Sequence, residues 1–387
     1  MAHLEHVGIA VDDADAVVSL YNDLLGILPY KSETVASQHV RTHFLEAGSA
    51  KLELLEAIES TGPIASYLEK RGEGLHHLAF QVDDIDATFD RIRQAGYRIL
   101  GTEPTPGADG KRIFFLHPKE THGVLVEFCG SAPLPLSPTH VDIGGRSIAT
   151  YTAGARHQPP LVLLHGAAGC TRLETAPLLR RLESAFHIVA LDFHGHGASP
   201  SHESSVSFDL FAEDVLGCVD ALDLNDVFLF GFSMGGNVAL DVARRAPERV
   251  QAVAAHGANV TWTEARAADM QGRLDAGALA QKSERLADRL ASHHDDWREL
   301  FRQMHDWVAT LPEQTPNMQA MAGDVDTPAL ITSVDQDDLF SLEETLTLYT
   351  LLPNARLEIF RGDQHALPLA PLDHLAATLT AWFSEAG

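Results

Sequence analysis

Two stretches of this chain are nearly the same: HVGIAVDDADAVVSLYNDLLG from His6 and HLAFQVDDIDATFDRIRQAG from His77. Each runs from a histidine through an alternating strand to paired aspartates, Asp12/Asp13 and Asp83/Asp84, which suit a helix N-cap and first turn. Each helical stretch then stops at a glycine, Gly26 and Gly96, suited to the left-handed position after a helix. VRTHFLEAGSAKLELLE and KRIFFLHPKETHGVLVEF follow, each reading as two strands joined by a Gly-containing turn. A duplication of about 71 residues constrains the fold strongly. Two copies of one unit pair around a pseudo-twofold and bring equivalent side chains to one cleft.

Each copy opens on a histidine in its first strand, His6 or His77, and carries a glutamate in its last, Glu53 or Glu127. Inward-facing positions from both repeats would assemble two imidazoles and two carboxylates, a mixed N/O set suited to a divalent ion with open water positions. The alternative is strand-end histidines and solvated glutamates.

GSAPLPLSPTH, with three prolines, reads as a semi-rigid linker over residues 131–140. It divides the chain into residues 1–130 and 141–387, and the 45% hydrophobic content is ample for two cores. A net charge of −26 argues against nucleic acid and anionic membrane surfaces as partners and favours a small-molecule substrate. Three unevenly spaced cysteines suggest neither disulfides nor a thiolate zinc site, which fits a reducing cytoplasm. The N-terminus lacks a signal-like pattern, and no run of about 18 apolar residues occurs.

Past the linker, strands alternate with helices, the pattern of a mostly parallel sheet covered on both faces. In DVFLFGFSMGGNVALDVARR a buried strand leads into Gly231-Phe232-Ser233-Met234-Gly235 and then an amphipathic helix, a nucleophile elbow in its strand-turn-helix setting. TPALITSVDQDDLF and ARLEIFRGDQHALP are strands ending in acids and in a histidine, so Asp337 and His365 are the expected partners of Ser233. Asp335 and Asp338 compete with Asp337 but read as a solvated acidic turn. The N–H groups of Met234 and of Ala167 in HGAAG are the expected oxyanion donors, and His165 reads as a structural loop residue. A helical stretch over about 260–322 falls where a lid would be inserted. Within it, HHDDW (residues 293–297) could hold a metal, but reads better as a solvated face with Trp297 and Trp307 packing inward.

HVGIAV, KLELLE, GLHHLAFQVDD and GADGKRIFFLHPKETHGVLVEF make residues 1–130 resemble the vicinal oxygen chelate superfamily, and within it methylmalonyl-CoA epimerases. The resemblance implies a duplicated βαβββ α+β fold and a divalent metal (Co, Mn, Ni or Zn) held by His6, Glu53, His77 and Glu127. It also implies acyl-CoA or another acyl thioester as substrate, and a homodimer. In such epimerases the metal polarises a thioester carbonyl while a base removes the α-proton. The catalytic glutamate of the family aligns with Ser37, and neither Glu33 nor His39 falls on that position. The ligand set also resembles that of glyoxalase I enzymes, in which a ligand-position glutamate shuttles the proton, so Glu127 could act alone.

HGAAG, DFHGHGAS, GFSMGG, DQDDL and GDQH make residues 138–387 resemble the α/β-hydrolase superfamily, which implies a Ser-His-Asp triad. Esterase, thioesterase, lactonase, C–C hydrolase and perhydrolase chemistry stay open. The expectation is a bifunctional enzyme, or else a serine hydrolase with a non-catalytic metal- or ligand-binding N-terminal module.

Overall fold

The structure, a computed structural model, describes residues 3–35, 38–47, 50–82, 85–109, 111–131, 136–201, 206–362 and 364–386. Ser37, Asp83 and Asp84 lie outside the described residues. The chain forms two compact units, Met1–Pro133 and Leu134–Gly387.

The first unit contains β1 (His3–Val11), α1 (Ala14–Leu25), β2 (Pro29–Val35), β3 (Val40–Ala47) and β4 (Ala50–Ala57). After α2 (Pro63–Arg71) come β5 (Gly74–Gln81), α3 (Ile85–Gln94), β6 (Ile99–Pro106), β7 (Lys111–Leu116) and β8 (Val126–Ser131). One eight-stranded sheet runs β2-β3-β4-β1-β5-β8-β7-β6. The order is symmetric about the β1/β5 seam, where the two first strands pair antiparallel with Gly8 opposite His77. Each first strand then pairs parallel with the last strand of its own repeat, β1 with β4 and β5 with β8. The strands carrying His6, Glu53, His77 and Glu127 are therefore the four central ones. Asp13 caps α1 by accepting from the Ala16 N–H, and Gly26 ends it at φ 69°.

The second unit opens with β9 (Thr139–Ile143), β10 (Arg146–Ala153), β11 (Pro160–Leu164), α4 (Ala176–Leu182), β12 (His187–Leu191), α5 (Phe208–Ala221), β13 (Val227–Phe232), α6 (Met234–Arg245) and β14 (Val250–His256). Five helices follow: α7 (Glu264–Arg273), α8 (Ala276–Lys282), α9 (Glu284–Ala291), α10 (Trp297–Val308) and α11 (Leu311–Gly323). β15 (Ala329–Val334), α12 (Leu342–Leu351), β16 (Ala355–Phe360) and α13 (Leu372–Ala386) complete it. Its sheet runs β16-β15-β14-β13-β11-β12-β10-β9, parallel from β16 to β12, with β10 and β9 antiparallel at one edge. Buried clusters cover both faces, one under α5, α6 and the inserted helices and one under α4 and α13. Strands buried on both faces read as continuous apolar runs, as in VFLF of β13, where all six residues are buried.

Trp297 and Trp307 pack inward on α10. The reading of HHDDW as wholly solvated is corrected at His294. That ring is 4% exposed and accepts from the Gly197 N–H at 2.8 Å, because the turn before α10 folds back onto the loop after β12.

Candidate functional site

The parallel sheet of the second unit sets the first site, since loops at the C-terminal ends of parallel strands converge above the sheet. Ser233 follows β13 at φ 52° and ψ −118°, a backbone conformation that holds its side chain at the tip of a sharp turn before α6. The turn tolerates no bulk. A Cβ on Gly231 would sit 2.0 Å from the Gly235 carbonyl oxygen, and one on Gly235 would sit 2.4 Å from that of His165. The second contact packs the start of α6 against the HGAAG turn that contains Ala167. Met234 is the first residue of α6, where helix geometry leaves N–H groups without intrahelical acceptors.

Ser233 Oγ lies 3.0 Å from His365 Nε2, and His365 Nδ1 lies 2.8 Å from Asp337 Oδ2. With Nδ1–H donating to the carboxylate, Nε2 is left to accept from the serine hydroxyl. The other oxygen of Asp337 accepts from the N–H groups of Leu339 and Phe340 at 2.8 and 2.9 Å. Burial would raise the Asp337 pKa, but the His365 hydrogen bond, its charge and these two N–H donors outweigh burial and lower it. The competing acids are not simply solvated: Asp338 accepts from the His365 N–H at 2.7 Å, and Asp335 from the Gly362 N–H at 2.9 Å. Both brace the loop that presents His365. His165 is buried, its Nε2 accepting from the Phe193 N–H at 3.0 Å.

Sequence patterns pass over Glu174. It sits on a π-helical turn, Thr171–Thr175, and accepts from the Gly166 N–H at 2.7 Å, fastening the HGAAG turn from behind. Burial pushes its carboxyl up to about 7. Gly169 and Gly166 are signals for it, since an added Cβ would fall 2.3 Å from that carboxyl at the first and 3.3 Å from it at the second.

In the first unit, His6, His77 and Glu127 are buried and place ligand atoms within 4.8 Å of one another. The two Nε2 atoms are 2.9 Å apart, and Glu127 oxygens lie 3.9 Å from the first and 3.4 Å from the second. Glu53 is not in this tight group. It meets His6 on the other ring edge, 3.3 Å from Nδ1. Gly8 is required by this packing, since a Cβ there would lie 2.3 Å from His77 Cε1.

Burial raises the Glu53 pKa and pushes Glu127 up to about 8, while burial and the neighbouring imidazoles hold His77 well below its ordinary value. Two imidazoles and a carboxyl buried together fit a divalent ion of the first transition row or zinc. For Glu127 the folded pKa lies above the ordinary carboxyl value of 4.5, so its contribution to stability is present at low pH and lost as pH rises through about 8. Chelated protein is therefore expected to lose thermal stability in its N-terminal unit as pH climbs from about 6 to about 8, with little further change from this group above that. A bound divalent ion should remove that loss, as scanning calorimetry with and without metal would record.

Residues 5–115 match the family described as the Glyoxalase/Bleomycin resistance protein/Dioxygenase superfamily, and residues 159–317 match the alpha/beta hydrolase fold. An ethylmalonyl-CoA/methylmalonyl-CoA epimerase of Cereibacter sphaeroides is 40% identical over 129 residues, covering 33% of this chain and 96% of that protein. The mitochondrial methylmalonyl-CoA epimerase of Homo sapiens is 36% identical over 128 residues, covering 33% and 73%. The serine hydrolase BPHL of Mus musculus is 28% identical over 218 residues, covering 54% of this chain and 74% of its own. A solved bacterial membrane phospholipase A shares the fold, with a TM-score of 0.52 at 20% identity, over 65% of this chain and 86% of that one. Among the described residues no helix is long and apolar enough to cross a membrane. The chain belongs to the glyoxalase superfamily through its epimerase-like N-terminal unit, and it continues into an alpha/beta hydrolase unit.

Proposed function

We propose that this chain is a bifunctional enzyme, with a serine hydrolase centre for an ester or thioester and a divalent-metal centre acting on the carbon α to a thioester carbonyl. The observation that carries the reading is the unbroken line from Ser233 Oγ through His365 to Asp337. His365 takes the serine proton as Oγ attacks the acyl carbon, and Asp337 holds the imidazole in the tautomer this needs. The N–H groups of Met234 and Ala167 receive the developing oxyanion. His365 then returns the proton to the departing alcohol or thiol, and water releases the acyl group by the reverse roles.

In the first unit His6, His77 and Glu127 are the residues to hold the ion, with Glu53 joining them once its carboxylate leaves the Nδ1 edge of His6. When bound, the ion supplies Lewis-acid polarisation of the carbonyl, which acidifies the α-carbon. Glu127, buried against both imidazoles, is the carboxylate proposed to carry the α-proton. Cobalt, manganese, nickel and zinc all suit the donor set. The C. sphaeroides relative acts on ethylmalonyl-CoA and methylmalonyl-CoA, as its name states, so branched acyl-CoA esters are the first substrates to try. A homodimer in a reducing cytoplasm completes the proposal.

Labelling with a fluorophosphonate tests the hydrolase half. The adduct is expected on the Ser233 peptide, and labelling of another serine, or none, would overturn the assignment. A second reading, a non-catalytic N-terminal binding module, is favoured by Ser37 standing where the epimerases carry a glutamate. It calls for metal binding without α-proton exchange.

A further inference from the structure

The residue before each ligand histidine repeats a role as well as a position. Glu5 hydrogen-bonds Nδ1 of His6, and His76 Nδ1 lies 2.9 Å from Nδ1 of His77. Both rings are thereby turned the same way, and their Nε2 atoms face each other. The two supports differ in chemistry. His76 offers an imidazole, whereas Glu5 is a carboxylate only 8% exposed, reached by Lys111 Nζ at 2.5 Å and Lys51 Nζ at 2.8 Å. Lys51 also meets Asp109 at 3.1 Å, and Asp109 meets Lys31 at 2.9 Å, which in turn meets Glu33 at 2.7 Å. The chain of charges draws on both repeats and reaches His6 through Glu5. A carboxylate so deep in the sheet would be costly without such partners.

Resting on the metal centre proposed above, we propose that Glu5 is the positioning residue of that centre. It accepts the Nδ1–H of His6, fixes the tautomer that presents Nε2 to the ion, and raises the basicity of that nitrogen. Lys51 and Lys111 hold it in place. Carboxylates behind metal-bound histidines act in this way, and their loss typically weakens metal binding about 10- to 100-fold. Cys129, the third member of a group with Glu5 and His6, defines the competing arrangement, a cation held directly by Glu5.

The test uses the full chain and Co²⁺ alone, with affinity read by competition against a chromophoric chelator. Glu5→Gln keeps an acceptor but loses the charge and should weaken Co²⁺ binding about tenfold; Glu5→Leu should weaken it about 100-fold. Lys111→Met, which leaves Glu5 in place, should weaken it less than Glu5→Leu and carries the test with Glu5→Gln if the leucine variant does not fold. In metal-free wild type, ¹⁵N NMR should find the His6 proton on Nδ1, an outcome that a merely structural Glu5 would not require. Variant affinities within about twofold of wild type, or a His6 proton on Nε2, would overturn the proposal. So would two Co²⁺ per chain with a thiolate charge-transfer band, which would make Glu5 a ligand. Failure of the wild type itself to bind Co²⁺ would instead remove the metal centre on which the inference rests.

Discussion

Ser233→Ala is expected to lower kcat for ester or thioester cleavage by about 10⁴- to 10⁶-fold, with the fold intact. The size follows from the proposed role: the hydroxyl at 3.0 Å from His365 Nε2 is the nucleophile proposed above, and alanine offers His365 nothing to deprotonate. Alanine occupies φ 52° about as well as serine does, so circular dichroism should be unchanged. Asp337→Asn should cost about 10⁴-fold, because the amide lets the imidazole adopt the tautomer with Nε2 protonated. Rates measured as free thiol or acid released would decide the matter. A Ser233→Ala enzyme within about tenfold of wild type would place the hydrolytic chemistry elsewhere.

The second large effect belongs to the first unit. His77→Ala is expected to abolish metal binding and to slow exchange of the α-proton of an acyl thioester by about 10³-fold or more. His77 is 5% exposed, sits on the central seam and faces His6 and Glu127 with its Nε2, so no water can replace it without opening the sheet. Chelation of the wild type should reproduce the loss while leaving ester cleavage by Ser233 in place, since Ser233, His365 and Asp337 contribute nothing to the metal set. Metal content by mass spectrometry, paired with exchange rates, would check both statements.

Much of this was legible in the sequence because it is local. The elbow of Ser233 needs only a buried strand, two glycines and a helix in order. Asp337 and His365 each stand at the end of an apolar run, and parallel sheets deliver such ends to one rim. The repeat likewise announces the symmetric sheet, since equivalent histidines in equivalent first strands meet at the seam. What stayed hidden depends on packing between distant segments. Glu5 reads as one more strand-end acid until Lys111, 106 residues later, is seen to reach it. His294 looks solvated among HHDDW until the turn before α10 folds onto Gly197. Glu174 lies on a π-helical turn that no 3.6-residue pattern reveals. Glu53 has the right spacing for the ligand set, yet its carboxylate meets the Nδ1 edge of His6, a side-chain placement that spacing does not encode.

The first unit is proposed to exchange the proton on the carbon α to a thioester carbonyl, next to the kind of acyl carbon that a serine hydrolase attacks. The most direct test of that exchange is to incubate metal-loaded Ser233→Ala protein with a panel of branched acyl-CoA esters in D₂O and to follow mass and stereochemistry at the α-carbon. Without hydrolysis to remove the thioester, one deuterium should accumulate at that carbon, and a chelator should stop it. Absence of α-deuteration across the panel, with the ion demonstrably bound, would contradict the account and leave the first unit as a metal-binding module.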